Sequence, residues 1–311
     1  MTWSGLSPEN IICNPKYRQM LLSPVYKENL IGIAVDEAHC VKTWGDDFRT
    51  AFAMIGELRS IIPDHVRILA LTATATHPTL QAVKDRLYLQ NPIVVGLSPN
   101  IFLSVIPAMK LDELSAVIAG DLIKMKMNYP KTIVFCRTYW DCSDLYARLI
   151  RYLGDDKTEP AGYPNFLQFR LLTMYTRAST VAMKQAVLSV FTKQGSKLRI
   201  VIATKAFSMG IDCPDVHQII HWGSPCDPEH YLQEIGRAGR DSELSHALLI
   251  CGRKGGRHMQ QSMKAYYENS SSCRRCNLFQ SFILFDEPDC IKCKCCDICS
   301  TLCDCEECSK Q

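Results

Sequence analysis

Leu30-Ile-Gly-Ile-Ala-Val-Asp-Glu-Ala-His39 decides the fold. A continuous apolar run ends abruptly in two acids. A strand exposed on one face would alternate apolar with polar residues; a run without alternation suits a strand covered on both faces of a parallel sheet. Val66-Arg-Ile-Leu-Ala-Leu71 is a second such run, and Ile93-Val-Val95 a short third. Between the first two, Ala51, Met54, Ile55, Leu58, Ile61 and Ile62 recur at helical spacing. Strands alternating with helices predict an α/β region.

The alternation is fuller farther on. Strands are expected at Thr132–Cys136, Leu171–Tyr175, Arg199–Ala203, Gln218–His221 and Ala247–Ile250, with helices over Asp141–Tyr152, Thr180–Thr192 and Pro228–Ile235. Gly154–Asn165 carries glycine, proline and charge and reads as a surface loop. The sheet pattern stops at Arg253. The expected organisation is therefore one α/β region over 1–100, a second over 101–252 and a cysteine-rich module over 253–311.

With 311 residues, 47% hydrophobic and 22% charged, the chain has a globular composition. No apolar run approaches the length of a membrane span, so no membrane partner is expected. Residues 1–10 have neither a basic nor an apolar signal region, which predicts a reducing compartment. The net charge of +3 does not by itself announce a nucleic acid; any basic surface is local, as in Gly252–His258. Ten of the 17 cysteines lie between Cys273 and Cys308. In a reducing compartment such a cluster reads as a metal site before it reads as disulfides.

The chemistry-bearing stretches sit after the strands. Asp36 can hold Mg²⁺ through water, and Glu37 can polarise a water attacking a phosphate; an acidic cap on the next helix is the bland alternative. Trp44, Phe48 and Arg49 follow in an expected loop, where aromatics beside a cation can stack on unpaired bases. Leu71-Thr-Ala-Thr-Ala75 follows the second strand. In the second region, Gly210 permits an unusual backbone, and Asp212 can accept hydrogen bonds from a ribose or a neighbouring segment. Tyr231-Leu-Gln-Glu-Ile-Gly-Arg-Ala-Gly-Arg-Asp241 places Arg237 and Arg240 three apart. On a helical turn they would share a face, and two guanidinium groups suit a transferring phosphoryl group.

Together these stretches resemble the RecQ family of superfamily 2 DNA helicases, in order and over nearly the whole chain. Ser7-Pro-Glu9 resembles the family's strand-contact motif, Asp36-Glu-Ala-His39 its Walker B motif, and Trp44 to Arg49 its aromatic-rich loop. Thr72-Ala-Thr74, Val134–Arg137, Met209–Asp212 and Gln233–Asp241 resemble motifs III to VI. The resemblance implies two RecA-like lobes, the first incomplete here, then a zinc-binding module. It also implies ATP in the cleft and DNA, single-stranded or at duplex junctions, across the lobes. Asp36 would hold Mg²⁺, Glu37 would activate water, and His39 would couple the two events. Arg240 would be the arginine finger, with Arg237 and Gln233 supporting it and Gly210 and Asp212 near the nucleotide. Ser7, Pro8, Glu9, Trp44, Phe48 and Arg49 would face DNA. Translocation 3′ to 5′ in DNA repair and recombination, in the nucleus, is implied as well.

The same resemblance draws Cys293-x-x-Cys296-x-x-Cys299 together with Cys273 around Zn²⁺, although Cys276, Cys290 and Cys295 crowd the register. Cys303, Cys305 and Cys308 exceed the family's pattern. They could join Cys290 or Cys276 around a second metal, but free thiols are the favoured expectation.

The sequence also departs from the family. Tyr175-Thr-Arg-Ala178 lacks the family's histidine, the loop at 155–165 is long, and no winged-helix segment follows the cysteines. Above all, no Gly-Lys dipeptide exists in the chain, whereas such motors cradle phosphates with a Gly-Lys-Ser/Thr loop. The expectation is a fragment or truncated form with an unpaired sheet edge and an uncovered apolar face, unable to hydrolyse ATP unaided. The alternative is a non-enzymatic nucleic-acid-binding or interaction module made of the second lobe and the zinc module.

Overall fold

The computed structural model describes residues 6–38, 40, 54–72, 77–89, 100–106, 108–207, 213–251, 259–280 and 292–305. The chain divides into two compact units, with the boundary between Gly96 and Leu97.

In the first unit three short helices come in succession: α1 (Pro8–Cys13), α2 (Pro15–Leu22) and α3 (Pro24–Asn29). Each opens with proline in its first turn, where a missing N–H costs nothing and the fixed φ suits a helix. Strand β1 (Gly32–Val35) pairs in parallel with β2 (Arg67–Ala70), and Val35 lies opposite Ala70. The helical spacing at 51–62 appears as a 3-10 turn over Met54–Ser60, not an α-helix. Its tighter winding brings Ile55 and Leu58 into line, and both are buried. Gly56 lies against α4 (His77–Leu87): a Cβ there would meet the Arg86 carbonyl oxygen at 2.0 Å. Leu21, Val35, Ile55, Leu58, Val83 and Leu87 form this unit's core. Ile31, Leu69 and Leu71 are exposed, so the apolar runs of β1 and β2 are not covered on both faces as their composition predicts. The third run, Ile93–Val95, lies outside the described residues.

The second unit holds a six-stranded parallel sheet in the order β3-β8-β7-β4-β6-β5. Its strands are β3 (Ile101–Ile106), β4 (Lys131–Cys136), β5 (Leu172–Tyr175), β6 (Ile200–Ala203), β7 (Val216–Trp222) and β8 (Ser245–Ile250). All five expected strands are present within a few residues of their predicted bounds. Every residue of β4 and β6 is buried. The helices are α5 (Leu111–Met125), α6 (Tyr139–Leu153), α7 (Val181–Phe191) and α8 (Pro228–Ile235). Thr138 and Asp141 close a capping box at the start of α6, so that helix begins two residues earlier than its apolar spacing suggests. Leu114, Ile118 and Leu122 of α5 pack with Leu145 and Leu149 of α6 and with Ile200 and Ile202 of β6 in one core.

The cysteine-rich residues belong to this unit. They contribute α9 (Gln261–Glu268), α10 (Arg274–Phe279), α11 (Lys292–Cys295) and α12 (Asp297–Thr301). They dock on the edge strand β3. Leu103 bridges Cys296, the Val105 amide donates to Asp297 at 3.1 Å, and Arg275 donates to the Ile101 carbonyl at 2.6 Å. An edge strand is thereby covered by its own chain. No described helix is long and apolar enough to cross a membrane.

Candidate functional site

Asp36 and Glu37 stand at the C-terminal end of β1, where open parallel sheets place their ligands. Asp36 is exposed and Glu37 half-buried. Two hydrogen bonds hold the chain here: Leu71 donates to the Val35 carbonyl and Ala38 to the Leu71 carbonyl, each at 2.8 Å. The ends of β1 and β2 are thus tied together. Glu37 has φ of 50°, a left-handed conformation that costs a non-glycine residue about 1 kcal/mol or more. The Asp36 carboxylate accepts from the Glu37 amide at 2.9 Å, which offsets part of that cost. Upstream, Ser7 caps α1 by accepting from the Asn10 amide at 3.3 Å, with Pro8 in the first turn and Glu9 as its acid. These three residues therefore have a local structural task. His39, Trp44, Phe48 and Arg49 lie outside the described residues, as do Thr74, Gly210 and Asp212.

In the second unit the arginine-bearing segment is built by α8. Asp227 caps that helix, accepting from the His230 amide at 2.8 Å, and Gly236 ends it. The helix stops at Ile235, so Arg237 and Arg240 do not share a helical face. Arg237 is buried and Arg240 exposed. The cause is Gly239, with φ of 68° and no room for a Cβ, which would lie 2.5 Å from the Asn100 amide nitrogen. Asn100 donates to the Gly239 carbonyl at 2.8 Å and the Gly239 amide donates to the Val216 carbonyl at 3.0 Å. Gln233, on α8, is half-buried.

Two histidines of β7 bracket this segment, and sequence reasoning missed both. His221, buried and stacked on Phe135, pairs with Glu234 at 2.9 Å. His217 pairs with Asp241 at 2.7 Å. Burial pushes the Asp241 carboxyl up, but hydrogen bonds from His217 and the Glu243 amide outweigh it and hold the group below the usual carboxylate range. The available signal was the i, i+4 spacing of His217 and His221, an unusual pattern in a buried strand.

The cysteines form two groups. Cys273, Cys295, Cys296 and Cys299 have their sulfurs within 4.8 Å of one another. A Zn–S bond of about 2.3 Å with tetrahedral angles puts sulfurs about 3.8 Å apart, so a metal ion fits this group. Cys296 is fully buried, and its sulfur accepts from the Arg274 and Cys299 amides, each at 3.4 Å. Cys295 stands in this thiol group, and Cys293, the residue expected there, does not. The chain breaks between α11 and α12 at Cys296, whose φ of −162° is extended, and this brings Cys295 to the site beside it. Cys293 lies two residues away on α11, and positions i and i+2 of a helix face different ways. Cys293 instead joins Cys303 and Cys305, again within 4.8 Å. Arg274 and Arg275, both buried, hold the first group: Arg274 pairs with Asp297 and donates to the Asn269 carbonyl at 3.1 Å.

A helicase conserved C-terminal domain matches residues 109–242. The RecQ-like DNA helicase blm-1 of Caenorhabditis elegans is 29% identical over 94% of this chain and 30% of its own length. The ATP-dependent DNA helicase RecQ of Pasteurella multocida is 32% identical over 70% of this chain and 31% of its own. A mimivirus protein named a putative ATP-dependent RNA helicase is 30% identical over 94% of this chain and 52% of its own. The chain thus spans about a third to a half of the length of these relatives. Among solved structures, the helicase MrfA bound to DNA superposes with a TM-score of 0.55 at 16% identity, over 80% of this chain and 33% of that one. At that identity the likeness shows the fold alone.

Proposed function

We propose that this chain, similar to RecQ-type DNA helicases over most of its length, serves in an ATP-dependent DNA helicase moving 3′ to 5′. The observation that carries the reading is the acid pair at the end of a parallel strand, exposed Asp36 and half-buried Glu37, held there by the Ala38–Leu71 hydrogen bond. In this reading Asp36 holds Mg²⁺ through water and Glu37 orients the attacking water. Arg240 supplies positive charge to the transferring phosphoryl group, and Gln233 and Arg237 position it. His39 couples hydrolysis to DNA, Gly210 and Asp212 lie near the nucleotide, and Ser7, Pro8, Glu9, Trp44, Phe48 and Arg49 meet single strands or junctions. Zn²⁺ on Cys273, Cys295, Cys296 and Cys299 is structural, and the setting is nuclear DNA repair and recombination.

A second reading is favoured by one observation, the lack of a Gly-Lys dipeptide in the 311 residues: a nucleic-acid-binding module that does not hydrolyse ATP. ATP hydrolysis with and without single-stranded DNA separates the two. DNA-stimulated hydrolysis that Glu37→Gln abolishes, and that Arg240→Ala lowers about 10³-fold, supports the helicase. DNA binding with no hydrolysis supports the module. Hydrolysis indifferent to DNA and to both substitutions would sink the assignment of these residues.

A further inference from the structure

The second cysteine group matches neither expectation: Cys293 is expected in the first site, and Cys303 and Cys305 as free thiols or beside Cys290 or Cys276. Cys293, Cys303 and Cys305 are each partly exposed, yet their three sulfurs lie within 4.8 Å of one another. Cys293 and Cys305 are 3.8 Å apart. That is too long for a disulfide, whose sulfurs sit about 2.05 Å apart, and it equals the edge of a tetrahedral zinc–thiolate site, about 3.8 Å. Three unrelated thiols on a half-exposed surface have no packing reason to converge. The chain's other buried cysteines show the contrast: Cys136 and Cys142 are packed into the apolar core as small hydrophobes.

The two groups interleave along the chain. Cys293 goes to one and Cys295 to the other from opposite sides of α11; Cys296 and Cys299 return to the first; Cys303 and Cys305 return to the second. This arrangement gives each group its own ligands. We propose that Cys293, Cys303 and Cys305 bind a second metal ion, Zn²⁺, distinct from the ion on Cys273, Cys295, Cys296 and Cys299. Soft thiolate ligands favour zinc over hard divalent ions such as Mg²⁺ and Ca²⁺. The ion would fasten the segment after α12 to α11, where the described backbone otherwise runs on as turns without an apolar anchor: Leu302 there is 74% exposed.

Elemental analysis of the purified full chain tests the proposal. About two zinc ions per chain are expected, and about one in the Cys303→Ser/Cys305→Ser variant, with unchanged sheet content by circular dichroism. The Cys299→Ser variant reads the other site. Zinc release to a chromogenic chelator during titration with a mercurial measures the same quantity without substitution, and two equivalents are expected. One zinc per chain in the unaltered protein, two retained in the double variant, or iron in place of zinc would each overturn the proposal. Loss of zinc from the first site alone would leave this one standing, so the two assignments fail separately.

Discussion

The two parallel sheets read alike in sequence and differ in structure. Ile-Gly-Ile-Ala-Val and Thr-Ile-Val-Phe-Cys are both unbroken apolar runs, yet β4 is buried throughout while β1 has only Val35 buried. In the second unit β4 lies between β6 and β7 and under α5 and α6. Among the described residues of the first unit, β1 pairs with β2 alone, and Ile31, Leu69 and Leu71 keep their apolar surface in solvent. An apolar run encodes extended structure that wants cover on two faces; whether cover is present depends on the layers assembled around it. At roughly 25 cal/mol per Å² of apolar surface removed from water, that difference is worth several kcal/mol across a sheet.

Four measurements break or sharpen the comparison. A first large effect is expected at Lys131, a buried cation at the start of β4. Its ammonium pairs with Asp215 at 2.7 Å and donates to the Phe191 carbonyl at 2.8 Å. Lys131→Met should destabilise the second unit by about 3 kcal/mol, the low end for breaking a buried pair because Asp215 is partly exposed. Burial pushes the Asp215 carboxyl up, but hydrogen bonds from Lys131 and Cys213 hold it below the usual range. Its contribution is therefore present above pH ~4 and lost as pH falls through its lowered value, and the variant should lack that acid limb. Urea unfolding at several pH values checks both statements.

Next, Ile202→Ala in β6 should cost about 2–5 kcal/mol, whereas Leu69→Ala in β2, at 53% exposure, should cost less than about 1 kcal/mol. Equal costs would end the contrast between the sheets. Third, amides of β4 and β6 should exchange with solvent at least ~100-fold more slowly than those of β1 and β2, by hydrogen-exchange mass spectrometry. The smallest effect is at α8. The Asp227 hydrogen bond raises His230 above its ordinary pKa, against its partial burial. The stabilisation is fully present below pH ~6.5 and is lost as pH rises through the raised value. Asp227→Asn should return the His230 titration, read by NMR, toward the ordinary value; an unchanged titration would remove the pair from the account.

Much of the second unit was legible. Five strands and three helices follow from apolar runs and periodicity, because tertiary contacts there reinforce the local signal. Helix α5 was equally readable from Leu114, Ile118 and Leu122 and was passed over, as was β3, which begins at the expected boundary between the two regions. The acids at the end of β1 were legible because a strand end is a local event. The parting of Arg237 and Arg240 was not: it depends on Asn100, which closes on Gly239 from 139 residues away. The pairs His217–Asp241 and His221–Glu234 were hidden for the same reason, since each joins β7 to the segment beyond it.

The cysteines mark the boundary between the two kinds of information. Their clustering in the sequence marked out a segment whose thiols could meet around a metal ion, because a soft divalent ion needs clustered thiols whatever the fold. Only the tertiary structure decided that Cys295 rather than Cys293 completes the first group. That choice depends on the break between α11 and α12 and on the docking of Cys296 against β3. Spacing limits which residues can meet, but the direction of each side chain is set by backbone dihedrals that contacts far along the chain select.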